Sequence, residues 1–322
     1  MKGDTGHTGG GGGGGWGLGW ALVRLARPRQ WSKSVFVMVG PLYGLTDPSR
    51  DWRDVVPGAL VAAGAFALVS SACYVVNDLV DAPKDRLHPR KRNRPIAAGM
   101  VQPLQAVSFA SLLVIGAVAL LATLPAAEAW WTFIAAGVYA ANVLGYSFVL
   151  KRVVMADVMS LSLGFVLRVL GGCAAAGVTP STWLLNVTLF LAMFLAFCKR
   201  LGERKLMQKA GAEASSVRTV QGVYTDDLLR MSVVVTAVAV LVTYAMYVQA
   251  HEAQYTRGFN LLWLTMLPAT YGLLRAIVLV ERGEYDDPTE MISRDWRVQL
   301  AGAVFGGLVV WLVLGLGRAG GG

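Results

Sequence analysis

Charge is scarce in this chain. Only 15% of its 322 residues are Asp, Glu, Lys or Arg, against about 25% in an ordinary soluble domain, which argues against a soluble enzyme. Cysteine and histidine are scarce as well. Cys73, Cys173 and Cys198 are scattered through apolar sequence with no CxxC spacing, and His7, His88 and His251 lie far apart. A disulfide scaffold, a zinc site and a histidine-based triad therefore lose their support. Strict alternation of apolar and polar residues is missing too, which speaks against a β-barrel. The N-terminus has no basic region followed by a long apolar core and a cleavage site, so no signal peptide is expected. What is present is 55% hydrophobic residues, a mean hydropathy of +0.52 and continuous apolar runs near the ~20 residues that cross a bilayer. That composition reads as an all-α polytopic membrane protein.

Apolar segments fall at 31–45, 57–77, 103–124, 130–150, 154–177, 182–198, 228–249, 259–280 and 298–316, giving nine expected helices. The first is short for a span, and we expect it to be extended by Gly17–Ala26 with a kink near Pro28. Residues 1–16, with the polyglycine run Gly9–Gly15, read as a flexible tail, 17–318 as one transmembrane catalytic domain and 319–322 as a second tail. The net charge of +9 would suggest nucleic acid in a soluble protein, but its distribution points to a bilayer. With the N-terminus cytoplasmic, the inside segments hold 23 of the 29 lysines and arginines and the outside segments only 4. The positive-inside rule then places the C-terminus outside and the long, chemically rich loops in the cytoplasm of a plasma (inner) membrane protein.

The strongest chemical signal is Asn77-Asp78-Leu79-Val80-Asp81-Ala82-Pro83-Lys84-Asp85, at the inner end of the second span. Spacing i, i+3, i+7 puts Asp78, Asp81 and Asp85 on one helix face, and converging hard oxygens suit Mg²⁺ with a bound diphosphate. Pro83 should kink this helix or end it near Ala82. Arg86, Arg90, Lys91, Arg92 and Arg94 follow at once, and carboxylates next to a basic cluster describe a phosphate-handling site. His88 reads as a loop residue. Asp157 and Arg168, eleven residues apart in the fifth span, share nearly one face, since eleven residues make about three turns. Asp157, near the cytoplasmic end, is expected to touch polar substrate, whereas Arg168 is either a substrate ligand or the structural partner of a backbone carbonyl. Gly171-Gly172 and Gly306-Gly307 read as close helix packing. Glu203–Asp227 is either a lid or a solvated loop. Glu284-Tyr285-Asp286-Asp287 reads as solvated surface, with a ligand group at the cavity mouth as the alternative.

The pattern N-D-x-x-D-x-x-x-D from Asn77, followed by His88-Pro89-x-Lys91-Arg92-x-Arg94-Pro95-Ile96-Ala97-Ala98-Gly99, resembles the UbiA superfamily of intramembrane prenyltransferases from about Arg27 to Gln299. Tyr146-Ser147-Phe148-Val149-Leu150-Lys151 is similar to that superfamily's tyrosine-lysine motif. The resemblance implies a nine-helix transmembrane bundle with a cytoplasm-facing polar cavity and Mg²⁺ held by Asp78, Asp81 and Asp85. A second aspartate-rich motif, D-x-x-x-D, is expected after the sixth span, yet this chain reads Lys199-Arg200-Leu201-Gly202-Glu203. A lysine where a metal-binding aspartate would be suggests an anion there. With Arg27-Pro28-Arg29-Gln30-Trp31-x-Lys33 and Gly164-Phe165-Val166-Leu167-Arg168, this variant is similar to one branch, the decaprenyl-phosphate phosphoribosyltransferases.

That likeness implies transfer from 5-phosphoribosyl diphosphate to a polyprenyl phosphate, with release of pyrophosphate. Lys151 joins the three aspartates as catalytic, and Lys33, Asn77, Arg92, Arg94, Tyr146, Lys199, Arg200 and Glu203, with Asp157 and Arg168, bind substrate. Chemistry agrees: a lipid phosphate is already an anionic nucleophile and needs cations more than a strong base. Two alternatives stay open, prenyl transfer to an aromatic or other small acceptor, and a transporter. No internal repeat of the kind a transporter carries is visible. No nucleic-acid partner is expected, and homo-oligomerisation is left open. Lys199 and Asp81 should face one cavity about the length of the donor, roughly 10 Å, with Tyr146 and Lys151 on its wall. That cavity should open sideways to lipid.

Overall fold

The computed structural model describes residues 14–45, 50–87, 91–209, 224–285 and 288–315. In chain order its helices are α1 (Gly14–Ala26), α2 (Val35–Gly44), α3 (Trp52–Asp85), α4 (Pro103–Leu121), α5 (Ala126–Phe148), α6 (Ala156–Ala175), α7 (Thr182–Lys209), α8 (Asp226–Ala250), α9 (Glu252–Tyr255), α10 (Met266–Glu281), α11 (Pro288–Arg294) and α12 (Trp296–Gly315). Among the described residues there is no sheet, only an isolated bridge between Thr256 and Asn260.

Six helical stretches are long and apolar enough to cross a membrane: Trp52–Asp85, Pro103–Leu121, Ala156–Ala175, Thr182–Lys205, Asp226–Ala250 and Leu261–Glu281. Their outward faces carry side chains such as Leu112, Ile115, Val235 and Leu274, exposed as hydrocarbon surroundings demand. Of the other three expected spans, α5 is interrupted by polar and aromatic residues such as Trp130, Trp131 and Asn142. The last corresponds to α12, a 20-residue helix from Trp296 to Gly315. The first is broken. Arg27 takes a left-handed conformation (φ 53°, ψ 60°), Pro28–Ser34 forms a 3-10 turn, and α2 has only ten residues, about 15 Å of helix. The expected kink near Pro28 is thus a full interruption between α1 and α2. α1 also takes in Gly14, Gly15 and Trp16, which composition alone assigns to the tail.

The length of α3 is what positions the site. At 34 residues it spans about 51 Å, against the ~30 Å of a hydrocarbon core, so its last turns reach beyond the apolar layer. Asp51 starts it, its carboxylate accepting from the Arg53 N–H at 3.0 Å. Pro83 does not end it at Ala82, as the sequence suggested. The helix continues to Asp85 and the Arg86 N–H still reaches the Ala82 carbonyl at 3.1 Å, and Asp85 in that last turn pairs with Arg94.

Small residues bring α6 against α2 and α3. A methyl group at Gly172 would collide with the carbonyl oxygen of Val37, and one at Gly171 with the ring of Phe66. These two glycines serve close packing as expected. Gly306 and Gly307 do not: among the described residues nothing lies within 4 Å of a methyl group at either position. One apolar core forms around Phe66, Tyr139 and Leu167 of α3, α5 and α6, and another around Phe194, Phe197 and Leu279 of α7 and α10.

Candidate active site

The inner end of α3 is an ion-pair network. Asp78, 3% exposed, accepts from Arg27 at 2.6 Å and from Arg94 at 3.0 Å. The same Arg94 Nη1 donates to Asp85 at 2.8 Å. Asp81 faces another way, accepting from the Asn77 amide at 3.2 Å, with the Lys151 Nζ at 3.9 Å. Carboxylates buried as deeply as Asp78 and Asp85 need positive charge beside them. Arg94 is supplied by the loop after α3, and Arg27 by the break between α1 and α2, where it also stands 4.8 Å from the Tyr74 ring centroid. The left-handed backbone of Arg27 is a local strain that these contacts hold in place.

A cavity of about 550 Å³ opens beside this network. Its wall brings together seven of the expected site residues: Lys33, Asn77, Asp81, Arg94, Tyr146, Lys151 and Arg168. Seven of the lining residues are lysine or arginine and one, Asp81, is acidic. Val143, Leu161 and Phe165 form an apolar flank. At the far end Arg168 reaches the cavity, together with Tyr139, Asn142 and Ser160. Asn142 and Ser160 hold each other, the Asn142 amide donating to the Ser160 carbonyl at 2.8 Å and the Ser160 hydroxyl to Asn142 Oδ1 at 2.9 Å.

Several expectations are corrected. Asp78, Asp81 and Asp85 do not converge on one point: Arg94 stands between Asp78 and Asp85, and Asp81 turns toward Asn77 and Lys151. No group of three or more acidic, His or Cys side chains is gathered to hold a cation among the described residues. The donors nonetheless fit Mg²⁺ in kind, being carboxylate and amide oxygens with Asp81 open to the cavity.

Asp157 does not line the cavity. Only 1% exposed, it is the counter-ion of Arg200, whose Nε lies 3.2 Å away, and it accepts from the Tyr224 hydroxyl at 2.7 Å. Arg200, 4% exposed, also pairs with Glu203 at 3.3 Å and interacts with Tyr146. Lys199, Arg200 and Glu203 therefore do not face the cavity beside Asp81, and Arg92 sits exposed in the 3-10 turn Lys91–Asn93. Burial pushes the Tyr224 hydroxyl well above the ordinary tyrosine range, and its bond to Asp157 adds to this, so it stays a donor. The Met155 N–H donates to the same hydroxyl at 2.8 Å, from a residue with φ 66°.

Sequence reasoning overlooked Tyr224, Tyr74 and the pairing of Arg27, none of which has a local signature. His7, His88, Arg90 and residues 210–223 of the loop lie outside the described residues. The ends of that loop are tied down: Arg204 and Gln208 to Asp226, and Lys205 and Arg230 to Glu281. Glu284 pairs at the surface with Arg282 at 3.6 Å, while Asp286 and Asp287 lie outside the described residues.

Comparison with known proteins places this geometry. The model of the UbiA prenyltransferase family matches residues 34–294. A decaprenyl-phosphate phosphoribosyltransferase of Mycolicibacterium smegmatis is 33% identical over 290 residues, covering 87% of this chain and 88% of that protein. One of Corynebacterium glutamicum is 34% identical over 281 residues, covering 87% and 82%. Among solved structures, a UbiA homolog from Archaeoglobus fulgidus bound to DMAPP and Mg²⁺ superposes with a TM-score of 0.62 at 16% identity, covering 91% of this chain and 99% of that one. At that identity the likeness speaks for the fold alone.

Proposed function

The chain belongs to the UbiA prenyltransferase family, and from that premise we propose that it transfers a 5-phosphoribosyl group from 5-phosphoribosyl diphosphate to a polyprenyl phosphate. The reaction releases pyrophosphate and yields a lipid-linked pentose phosphate for envelope polysaccharide. The observation that carries this reading is the charge of the cavity: seven cationic lining residues against one carboxylate suit substrates that bring several phosphates at once.

The chemistry follows from those residues. An oxygen of the lipid phosphate, already anionic at neutral pH, attacks the anomeric carbon as the bond to pyrophosphate breaks, and the leaving group departs with the electron pair. Positive charge developing on the sugar and negative charge on the leaving oxygen are the transition state's demands. Lys151, Lys91, Lys33 and Arg152, all on the cavity wall, neutralise phosphate oxygens, and no strong general base is needed. Asp81, open to the cavity beside the Asn77 amide, would hold a divalent cation, which would offset charge on the departing diphosphate. The Mg²⁺ in solved relatives supports that reading.

In the arrangement we propose, nine helices span the plasma membrane, the N-terminus and the cavity mouth face the cytoplasm and the C-terminus lies outside. The apolar flank of Val143, Leu161 and Phe165 lets the polyprenyl tail stay in the bilayer. A prenyl diphosphate donor is disfavoured by Lys199-Arg200-x-x-Glu203, which lacks the second aspartate pair. Membranes containing the protein, incubated with radiolabelled 5-phosphoribosyl diphosphate, polyprenyl phosphate and Mg²⁺, should transfer label to the lipid phase. Transfer only from prenyl diphosphate to an aromatic acceptor would select the other reading.

A further inference from the structure

Among the described residues, one cation of the cavity has no acidic side chain to answer it. Arg168 is 5% exposed and lies twelve residues into α6, about 18 Å from that helix's start. Among the described residues it has no acidic partner. Its guanidinium donates to the Gly164 carbonyl at 3.1 Å and the Tyr139 hydroxyl at 2.6 Å. It stands 4.5 Å from the Tyr139 ring centroid and 5.6 Å from that of Phe165. Its Nε, fully buried, has no hydrogen-bond partner among the described residues. A carbonyl, a hydroxyl and two ring faces repay only part of what it costs to bury a cation at this depth. Each Nη nitrogen has a second hydrogen left over, and these remain for an anion inside the cavity, which Arg168 lines.

Resting on the donor assigned above, we propose that Arg168 receives the 5-phosphate of 5-phosphoribosyl diphosphate. The donor then lies along the cavity, with its diphosphate at the Asp81 end and its 5-phosphate at depth. The spacing fits. Tyr139 OH bridges Arg168 to the Ser70 hydroxyl, 3.2 Å away, and Ser70 precedes Asp81 on α3 by eleven residues, about 16 Å along the axis. A donor roughly 10 Å long, with a hydrogen-bonded contact of about 3 Å at each end, covers that distance. An arginine fork, unlike a lysine, binds two phosphate oxygens at once. Arg168 is thus a specificity residue that favours a 5-phosphorylated pentosyl donor over its unphosphorylated counterpart and over a prenyl diphosphate.

The test uses the full chain in detergent with Mg²⁺ and polyprenyl phosphate, and compares 5-phosphoribosyl diphosphate with ribosyl 1-diphosphate in wild type, Arg168→Lys and Arg168→Gln. Wild type should favour the phosphorylated donor in kcat/KM by about ten- to a hundredfold, the range of a charge-assisted contact. Arg168→Gln should bring that ratio near one, chiefly by slowing the phosphorylated donor, and Arg168→Lys should retain part of it. Calorimetry gives a reading without turnover: ribose 5-phosphate should bind wild type more tightly than ribose and lose that advantage in Arg168→Gln, while pyrophosphate binding is unchanged. Equal losses with both donors, or a raised KM for the lipid phosphate with the ratio kept, would overturn the assignment. Should Arg168→Gln not fold, an Arg168→Lys ratio identical to wild type, or no wild-type preference for ribose 5-phosphate over ribose, overturns it equally. If neither donor is used by wild type, the phosphoribosyl reading itself fails, and the sugar-phosphate binding decides Arg168 separately.

Discussion

Arg200→Met separates a structural cation from a substrate ligand. Asp157, 1% exposed, has two partners, Arg200 Nε at 3.2 Å and the Tyr224 hydroxyl at 2.7 Å. Removing the arginine leaves a buried carboxylate held by one hydroxyl. Breaking such a pair from one side costs about 3–5 kcal/mol, a hundredfold to several thousandfold in the folded-to-unfolded ratio, and on the order of 10 °C in melting temperature. Replacing both charges, Arg200→Met with Asp157→Leu, removes the stranded carboxylate, so the double variant should recover most of the loss. Thermal unfolding of the detergent-solubilised protein, followed by tryptophan fluorescence, measures all three variants against wild type. Donor KM, measured below each melting range, should change less than about threefold, because Arg200 does not line the cavity. If the single variant were as stable as wild type while donor KM rose tenfold, Arg200 would be binding phosphate and the reasoning would be wrong.

Asp81→Ala should lower turnover about a hundredfold or more, with the melting temperature nearly unchanged, since Asp81 is partly exposed and its removal strands no buried charge; full activity would exclude it from the site. Gly172→Ala should prevent normal insertion or folding, because its methyl group would meet the Val37 carbonyl oxygen, whereas Gly306→Ala should be silent; folded yield after size-exclusion chromatography reads both. The Arg275 guanidinium, 2.7 Å from Asp295, holds that carboxyl below its usual range. A depressed carboxyl stabilises the fold above its unfolded value of about 3.9 and loses that contribution as pH falls through the folded value. Asp295→Asn should therefore melt lower than wild type at pH 7, with the gap closing as the acid limit is approached; a gap independent of pH would refute the pairing.

Composition and local spacing sufficed for much of this protein. Apolar runs of bilayer length mark a helical membrane chain, because that is a property of short stretches that holds wherever the helices pack. The aspartate spacing on α3 and the tyrosine-lysine pair after α5 are equally local, and Tyr146, Lys151 and Asp81 do share one cavity wall. What tertiary structure alone decided is which charge answers which. Arg27 and Asp78 are 51 positions apart, Asp157 and Arg200 are 43, and Tyr224 and Asp157 are 67. Nothing in a local pattern distinguishes an arginine that cancels a buried carboxylate from one left facing the cavity. Asp157 and Arg168 share a helix face and a polar character, yet one is neutralised by α7 and the other has, among the described residues, a carbonyl, a tyrosine hydroxyl and ring faces around it. The difference arises because electrostatic compensation in a low-dielectric bundle acts over a few ångströms, and it is the packing of α7 on α6 that brings Arg200 to Asp157, while α5 brings only the Tyr139 hydroxyl to Arg168.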